Sequence, residues 1–388
     1  MTTEAPGDVV RVVITGASSE IGQTLSYYVA RGDVFGPKQR IFLVLVENSA
    51  KLKQLKKGTS LELGMCSLRL IHGQLCTQSL DEAFRDADVI FLVSGLQPSP
   101  GLSRNDLIGV NALEYKEVGL SLERVAKPTV KIVVVAEPQN SNLIAMSYHA
   151  PTLTPQNMTA LSRVDHNRAQ TMLARMLNIS CDKVRHLTMW GNRSTSIFPD
   201  IRHARIEVMG KEVPAYDAIK DDFFLKYKFT ETLQGREAEI LKKRKATCTA
   251  MTIATAAAQH MRDWVRGTKP NDWTSMVVLS DGSYGIEKGL AYSFPVKVSK
   301  TGQWEIVQDL DINYYEREKL DEQAEFIKAE RMFAYSILDV PEARKERDEE
   351  VEGDGSDHAK ATFWSFGHAD PIPCSILGPI EQERLGNM

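Results

Sequence analysis

A glycine-containing turn near the start of the chain has the spacing of a phosphate-binding site. Gly16 and Gly22 enclose Ala-Ser-Ser-Glu-Ile, after a β-branched run over Val9–Thr15 and before a segment at 21–31 with helical spacing of its apolar residues. A helix that begins here would direct free backbone N–H groups at a pyrophosphate. Glu47, which ends the next apolar run, could accept hydrogen bonds from ribose hydroxyls. The pattern predicts a dinucleotide-binding site.

Other reactive side chains allow simpler interpretations. Asp165, which precedes His166 and Asn167, is typical of a helix N-terminal cap, a role that can coexist with ligand binding. No base is positioned by the sequence beside Cys248, so we expect a buried packing thiol rather than a nucleophile. The basic run LKKRK at 241–245 is expected on the solvated face of a helix.

Length and composition limit the classes of protein to consider. The 388 residues suit two lobes rather than one core, and the composition, 43% hydrophobic and 25% charged, is that of a soluble globular protein without a membrane span. A balance of 47 basic to 51 acidic residues argues against nucleic acid as the main ligand. Five cysteines without a CxxC pair predict a reducing compartment and no metal site, and the N-terminus lacks targeting features, so we expect a cytoplasmic protein.

The last fifty residues differ in charge from the rest of the chain. Residues 339–388 hold 12 acidic and 5 basic residues, a net of −7, whereas residues 1–338 hold 39 acidic and 42 basic, a net of +3. The charged segment 342–357 is expected to be a solvated linker. The aromatic segment 362–380 suits an extended peptide in a groove, either on a protein partner or on its own body.

Three further apolar runs predict the architecture of the first lobe. IFLVLV at 41–46, VIFLVSG at 89–95 and KIVVVA at 131–136 show no alternation of polar and apolar residues. Such runs indicate strands covered on both faces, and therefore a parallel sheet between layers of helices.

The pattern changes after about residue 151. We expect helices over 163–178 and about 230–266, alternating strands over 203–209 and 289–298, and an amphipathic helix over 314–338 that packs back onto the body. This mixture predicts an α+β lobe. The predicted fold class is α/β, a Rossmann-type parallel sheet (1–153) followed by an α+β substrate domain (154–338) and a C-terminal extension (339–388).

Seven ordered motifs carry a resemblance to a known family. They are TGASSEIG (15–22), ARGDVFG (30–36), DADVIFLVSG (86–95), LSRVDHNRA (161–169), MWGNRS (189–194), GKEVPAYDAIKDD (210–222) and LAYSFPV (290–296). From about Val9 to Leu338 the chain resembles cytosolic-type malate dehydrogenase, of the lactate/malate dehydrogenase family. The resemblance implies that fold, a homodimer, and hydride transfer between NAD and the malate/oxaloacetate pair.

The resemblance places three substrate-site residues and one severe substitution. The arginine that binds the substrate carboxylate corresponds to Arg168, the orienting aspartate to Asp165, and the arginine of the mobile loop to Arg104. The catalytic histidine of the WGNHS motif corresponds to Arg193 in WGNRS. Histidine can accept the hydroxyl proton near neutral pH, whereas arginine stays protonated and cannot act as a base. Loss of such acid–base help lowers a rate by roughly 10²–10⁴-fold.

Further departures from the family affect both halves of the site. Pro98 stands for the second loop arginine, and Glu137 stands for the asparagine of the GNPANTN motif, where a carboxylate repels a dicarboxylate substrate. In the cofactor turn, Ser19 stands for the middle glycine, and Glu20 adds an anion near the helix N-terminus. Neither change in the cofactor turn abolishes the site by itself, so we expect NAD binding that is weak or, with both changes together, absent. The changes at Pro98 and Glu137 make a small dicarboxylate substrate doubtful.

Arg193 and Glu137 should lie in one pocket. We expect Arg193 to form an ion pair with Glu137 and Asp165 that fills the space of the substrate, and such a pair requires direct hydrogen-bonded contact.

Three functions remain open on the sequence. The first is a malate dehydrogenase-like homodimer that has lost competent catalysis and serves as a structural or regulatory subunit, docking through 362–380, in the cytoplasm and within a large cytoskeletal or other assembly. The second is an active NAD-dependent dehydrogenase that acts on malate or another 2-hydroxy acid with another base. The third is a sensor that binds NAD without turnover. Fold alone does not separate them, and the substitution at Arg193 favours the first.

Overall fold

The computed structural model describes residues 9–99, 101–192 and 196–341. The chain divides into a compact unit that ends at Leu338 and a second unit that begins at Asp339. Of the second unit only residues 339–341 are described, so the predicted linker (342–357) and docking segment (362–380) lie outside the described residues. The predicted domain boundaries stay predictions.

The central element of the first unit is a nine-stranded sheet with the order β14-β13-β12-β6-β5-β4-β1-β2-β3. Its strands are β1 (Val10–Thr15), β2 (Ile41–Val46), β3 (Ile71–Thr77), β4 (Val89–Leu92), β5 (Lys131–Val134), β6 (Met158–Ala160), β12 (Thr274–Leu279), β13 (Ala291–Val298) and β14 (Trp304–Ile306). The six strands β1 to β6 run parallel, and β12, β13 and β14 extend that sheet in antiparallel fashion. The predicted Rossmann-type parallel sheet is confirmed.

Helices cover this sheet, as the continuous apolar runs predict. They are α1 (Glu20–Arg31), α2 (Ser49–Lys57), α3 (Thr59–Met65), α4 (Leu80–Phe84), α5 (Arg104–Val125), α6 (Gln139–Tyr148), α7 (Arg163–Met176), α10 (Ala250–Arg266) and α11 (Tyr314–Ile337). Val12, Val13 and Ile14 of β1 are fully buried, as expected for a strand with helices on both faces.

A smaller α+β core follows the parallel strands. It contains β7 (Val184–Arg185), β8 (Thr188–Trp190), β9 (Phe198–Asp200), β10 (Arg205–Val208), β11 (Lys211–Pro214), α8 (Ala215–Ile219) and α9 (Phe229–Arg244). Leu173 of α7 and Leu233 of α9 are buried in the same apolar cluster. This packing brings α7 and α9 together, which positions the candidate site.

Two predicted elements differ in detail. The single helix predicted over 230–266 is wrong, because α9 ends at Arg244, Lys245 adopts a left-handed φ of 53°, and α10 begins at Ala250. The intervening turn buries Thr249, whose hydroxyl donates to Glu237 of α9 at 2.9 Å. The alternation predicted over 289–298 is also wrong, since every residue of β13 except Lys297 is buried in this strand, which lies between β12 and β14.

The last helix confirms the predicted amphipathic element. α11 begins at the cap Asn313, whose side chain accepts from the backbone N–H of Glu316 at 2.9 Å while the Glu316 carboxylate accepts from the Asn313 N–H. Leu320, Ile327 and Glu330 lie on its buried face, which packs against α5 and α6. This packing places the carboxylate of Glu330 inside the protein.

Candidate functional site

The Gly16 turn joins β1 to α1 with very little space around it. Gly16 has φ +60°, and a Cβ there would lie 2.9 Å from the backbone nitrogen of Ser94. A Cβ on Gly22 would lie 2.4 Å from the carbonyl oxygen of Gly16. Both positions therefore require glycine for close backbone approach, as a dinucleotide-binding turn does.

Ser19 is the N-cap of α1. Its exposed hydroxyl accepts from the backbone N–H of Gly22 at 3.0 Å and donates to the carbonyl of Gly16 at 2.7 Å. Glu20, in the first turn, is exposed and accepts from the thiol of Cys248 at 3.6 Å. Burial and the Glu20 carboxylate raise the pKa of this half-buried thiol, which agrees with a packing role for Cys248.

Glu47 follows β2 and is almost completely buried. Its Oε1 accepts from the backbone N–H (3.1 Å) and the hydroxyl (2.6 Å) of Ser18, and its Oε2 accepts from the N–H of Asn48 at 3.2 Å. The carboxylate therefore braces the Gly16 turn. Oε1 already accepts two hydrogen bonds, whereas Oε2 retains a further lone pair with which it could accept from a ribose hydroxyl.

Arg168 and Asp165 lie one turn apart on α7, and the structure brings them into contact. Arg168 Nη1 donates to Asp165 Oδ1 at 3.1 Å, and both side chains are 8% exposed. Asp165 lies in the first turn of α7, whose cap position is occupied by Ser162 without a side-chain cap bond. The interpretation of Asp165 as the helix cap is therefore wrong: it is an acid of the first turn, and from there it contacts Arg168.

A second carboxylate approaches the same guanidinium from α9. Arg168 Nη1 donates to Glu237 Oε2 at 3.1 Å, while Arg168 Nη2 donates to the hydroxyl of Thr249 at 3.4 Å. The sequence did not indicate Glu237 or Thr249, because a glutamate within the charged run REAEILKKR is typical of a solvated helix face.

Arg104, the first residue of α5, is bound to the interior face of α11. Its Nε and Nη2 donate to Glu330, the latter at 3.2 Å, and its guanidinium lies 5.6 Å from the centroid of the Phe326 ring. Glu330 Oε2 also accepts from Ser141 Oγ and from Asn192 Nδ2, each at 3.3 Å. Glu330 thus joins the start of α5, the first turn of α6 and the segment after β8.

Two substituted positions lie on neighbouring loops. Pro98 is exposed on the loop that follows β4. Glu137 follows β5 and is half-buried, and its carbonyl oxygen accepts from Asn111 Nδ2 at 2.7 Å. Asn111 also accepts from the backbone N–H of Leu96 at 2.7 Å, so one buried amide joins the two loops.

Arg193 lies outside the described residues, and so does its expected ion pair with Glu137 and Asp165. The strands around it are described: β8 ends at Trp190 and β9 begins at Phe198. The last described residue before Arg193 is Asn192, which is fully buried and bound to Glu330.

Four histidines within the described residues have partners other than Arg168. His166 and His260 are fully buried, and desolvation lowers the pKa of each to about 3, so both are neutral. His186 stacks on the ring of Trp273, with centroids 4.2 Å apart. His203 Nδ1 lies 2.7 Å from Asp200 Oδ2. None of these rings has a hydrogen bond to Arg168.

Residues 9–99, 101–192 and 196–341 contain no group of three or more His, Cys, Asp or Glu side chains arranged to hold a metal ion. Within the same residues, no helix has both the length and the apolar character needed to cross a membrane.

Comparisons with known proteins match nearly the whole first unit. Residues 10–159 match the model of the lactate/malate dehydrogenase NAD binding domain, and residues 162–333 match that of the lactate/malate dehydrogenase alpha/beta C-terminal domain. The cytoplasmic malate dehydrogenase of Gallus gallus is 40% identical over 333 residues, which cover 86% of this chain and 99% of that protein. Malate dehydrogenase 3, cytoplasmic, of Arabidopsis thaliana is 37% identical over 86% of this chain and 97% of that protein.

Solved structures agree with these matches. The malate dehydrogenase of Naegleria fowleri superposes with a TM-score of 0.80 at 29% identity, covering 86% of this chain and 100% of that one. The lactate dehydrogenase of Trichomonas vaginalis, in complex with NADH and oxamate, superposes with a TM-score of 0.81 at 32% identity, covering 85% of this chain and 99% of that one.

Proposed function

Because this chain belongs to the lactate/malate dehydrogenase family, we propose that it is a malate dehydrogenase-like protein that has lost competent catalysis and acts as a structural or regulatory subunit. The observation that carries the proposal is Arg193 in WGNRS, at the position of the family's catalytic histidine. A guanidinium remains protonated at neutral pH, so it cannot take the hydroxyl proton as the hydride leaves.

Among the described residues, the histidines give no support to a replacement base, because each is bound elsewhere. His166 and His260 are neutral but fully buried, and each is bound to a hydroxyl, on Ser275 and Thr159 respectively. His203 is held by Asp200. Glu137, half-buried after β5, adds a negative charge that opposes a dicarboxylate substrate.

The Gly16 turn fits the nicotinamide dinucleotide used by the family. Gly16 and Gly22 allow the close backbone approach, and Glu47 is fixed beside the turn by Ser18 and Asn48. When bound, NAD would supply the hydride acceptor. Ser19, with its side chain on the turn, is the residue that would weaken this binding.

A second function is an active dehydrogenase, which is favoured by the near full-length match to relatives named malate dehydrogenase. An assay of the purified full-length protein distinguishes the inactive protein from the active dehydrogenase. It measures NADH oxidation with oxaloacetate and with pyruvate. We expect no turnover above the uncatalysed reaction. A turnover of about 10 s⁻¹, an ordinary enzyme value, would overturn the proposal.

A third function, an NAD sensor without turnover, is favoured by Gly16 and Gly22, which keep the close backbone approach of the turn. Calorimetry with NAD decides this point, because heat of binding without turnover supports the sensor, and no binding at millimolar NAD removes it.

The proposal also includes a homodimer in the cytoplasm and a protein partner for segment 362–380. Sedimentation of the purified protein tests the dimer. Deletion of 342–388, which keeps the buried Val340, should release the protein from its complex and leave the melting of the dimer unchanged. A truncated protein that stays in the complex would contradict the role of the tail.

A further inference from the structure

Arg168 is shared by two carboxylates of the protein itself. Its Nη1 donates to Asp165 Oδ1 and to Glu237 Oε2, each at 3.1 Å. Asp165 comes from the preceding turn of the same helix, so it supplies a local counter-ion. Glu237 comes from α9, 69 residues further along the chain, and gives the guanidinium a second anionic ligand.

Thr249 fixes the orientation of Glu237. The Thr249 hydroxyl donates to Glu237 Oε1 at 2.9 Å and accepts from Arg168 Nη2 at 3.4 Å, which closes a ring of three side chains. Thr249 can contact α9 because the chain turns back between the end of α9 and the start of α10. The Glu237 side chain is 29% exposed and that of Arg168 only 8%, so Glu237 lies on the solvent side of the ring.

This arrangement is the one that a bound carboxylate would make. A carboxylate ligand of an arginine accepts from the guanidinium and takes a further hydrogen bond from a neighbouring hydroxyl. Glu237 makes both contacts. Asp165 supplies one negative charge to Arg168, and Glu237 supplies a second one from the solvent side.

We propose that Glu237 is a specificity-determining residue, a carboxylate ligand built into the chain that keeps substrate carboxylates from Arg168. The proposal deepens the proposed function and rests on it, because the family resemblance is what assigns Arg168 to the substrate. Glu330 holds Arg104, the other arginine assigned to the site, in a comparable way. A carboxylate substrate would therefore meet two arginines that are each already bound to a carboxylate of the protein.

The test compares Glu237→Gln with the matched variant Glu239→Gln in the full-length protein. Glu239 lies on the same helix, is 40% exposed, and contacts Arg236 and Lys243 at 2.5 Å, remote from Arg168 in its contacts. Oxamate is titrated into each protein by calorimetry, with and without NADH. We expect Glu237→Gln to bind oxamate at least about tenfold more tightly than the wild-type protein, and Glu239→Gln to bind it as the wild type does.

A second variant shows whether the gained affinity uses the arginine. Arg168→Gln added to Glu237→Gln should remove the gain. A folded Glu237→Gln protein that binds oxamate no more tightly than the wild type overturns the proposal, and so does a gain that survives loss of Arg168. If both Glu237→Gln and Glu237→Ala unfold while Glu239→Gln folds, Glu237 is a stability residue and the proposal is wrong.

Measurements on the same purified proteins distinguish a failure of this proposal from a failure of the proposed function. NADH oxidation by the wild-type protein overturns the loss of catalysis, whatever the titrations show. An absent gain in Glu237→Gln, in a wild-type protein without turnover, overturns only the role of Glu237.

Discussion

The buried carboxylate of Glu330 binds the guanidinium of Arg104 through both Nε and Nη2, across 226 residues of sequence. Glu330 is 7% exposed and Arg104 is 30% exposed, so the pair lies at the edge of the interior. Ser141 and Asn192 donate to the same carboxylate. One side chain of α11 therefore fixes three segments around the candidate site.

Glu330→Ala should lower the free energy of unfolding by about 2–3 kcal/mol. Loss of one partner from a buried ion pair costs about 3–5 kcal/mol, and the partial exposure of Arg104 lets water offset some of that. Urea denaturation of the full-length protein measures the change. The buried Asn192 amide also loses its acceptor.

Glu325→Ala on the same helix is the control for this prediction. Glu325 is 72% exposed and pairs with Lys328 at 2.7 Å, a surface contact that contributes about 0.5 kcal/mol or less. Equal losses in the two variants would show that the buried pair of Glu330 contributes no more than a surface pair, which would contradict the prediction.

Ser19→Gly should tighten NADH binding with little loss of stability. The substitution removes the hydroxymethyl group from the turn that faces the pyrophosphate, and glycine is an acceptable N-cap, so the loss is a few tenths of a kcal/mol. Fluorescence titration with NADH and thermal melting measure the two effects.

Ser19→Ala is the companion variant. It also removes the hydroxyl but retains a Cβ, and it should cost about 1 kcal/mol because the N–H of Gly22 loses its cap. If NADH binds both variants and the wild type equally, Ser19 does not limit the affinity for the cofactor.

Much of the fold could be predicted because its signal is local. The stretches 41–46, 89–93 and 132–136 are apolar at every position, as strands buried on both faces require, and the Gly16 turn marks the first crossover. The break at Lys245 could not be predicted from helical spacing, since it depends on Thr249 packing against α9.

The site was predictable only in part, for a related physical reason. Asp165 and Arg168 are one helical turn apart, so their contact follows from helix geometry. Glu237 and Glu330 belong to helices rich in charged residues, where most glutamates are solvated. Their contacts arise from how α9 and α11 pack, and the spacing of residues does not encode that.

Acidification from pH 7 to pH 5 should destabilise the protein through two buried histidines. Desolvation, with a smaller contribution from the Arg163 cation, lowers the pKa of His166 and of His260 from 6.5 to about 3. The unfolded chain therefore binds protons below about pH 6.5 that the folded chain does not bind. Stability is fully present above that pH and falls toward pH 3, by about 2 kcal/mol per histidine between pH 7 and pH 5.

Denaturation at a series of pH values measures this loss, and single variants apportion it. His260→Gln should remove about half of the pH dependence, because the glutamine amide does not titrate. His72→Gln is the control, since His72 is exposed and should leave the dependence unchanged. A wild-type stability that stays constant between pH 7 and pH 5 would contradict the prediction.

Arg193→His should restore a base to the site, and its effect should depend on Glu237. With the single substitution, the substrate carboxylate still meets Glu237 on Arg168, so we expect little gain in NADH oxidation with oxaloacetate. The single variant Glu237→Gln still has no base at position 193, so it should gain little as well. The double variant should exceed either single variant by about 10²-fold, the lower range of acid–base catalysis. Arg193→Gln with Glu237→Gln removes the same charges without adding a base, and a rate equal to that of the histidine double variant would show that charge, and not proton transfer, limits the reaction.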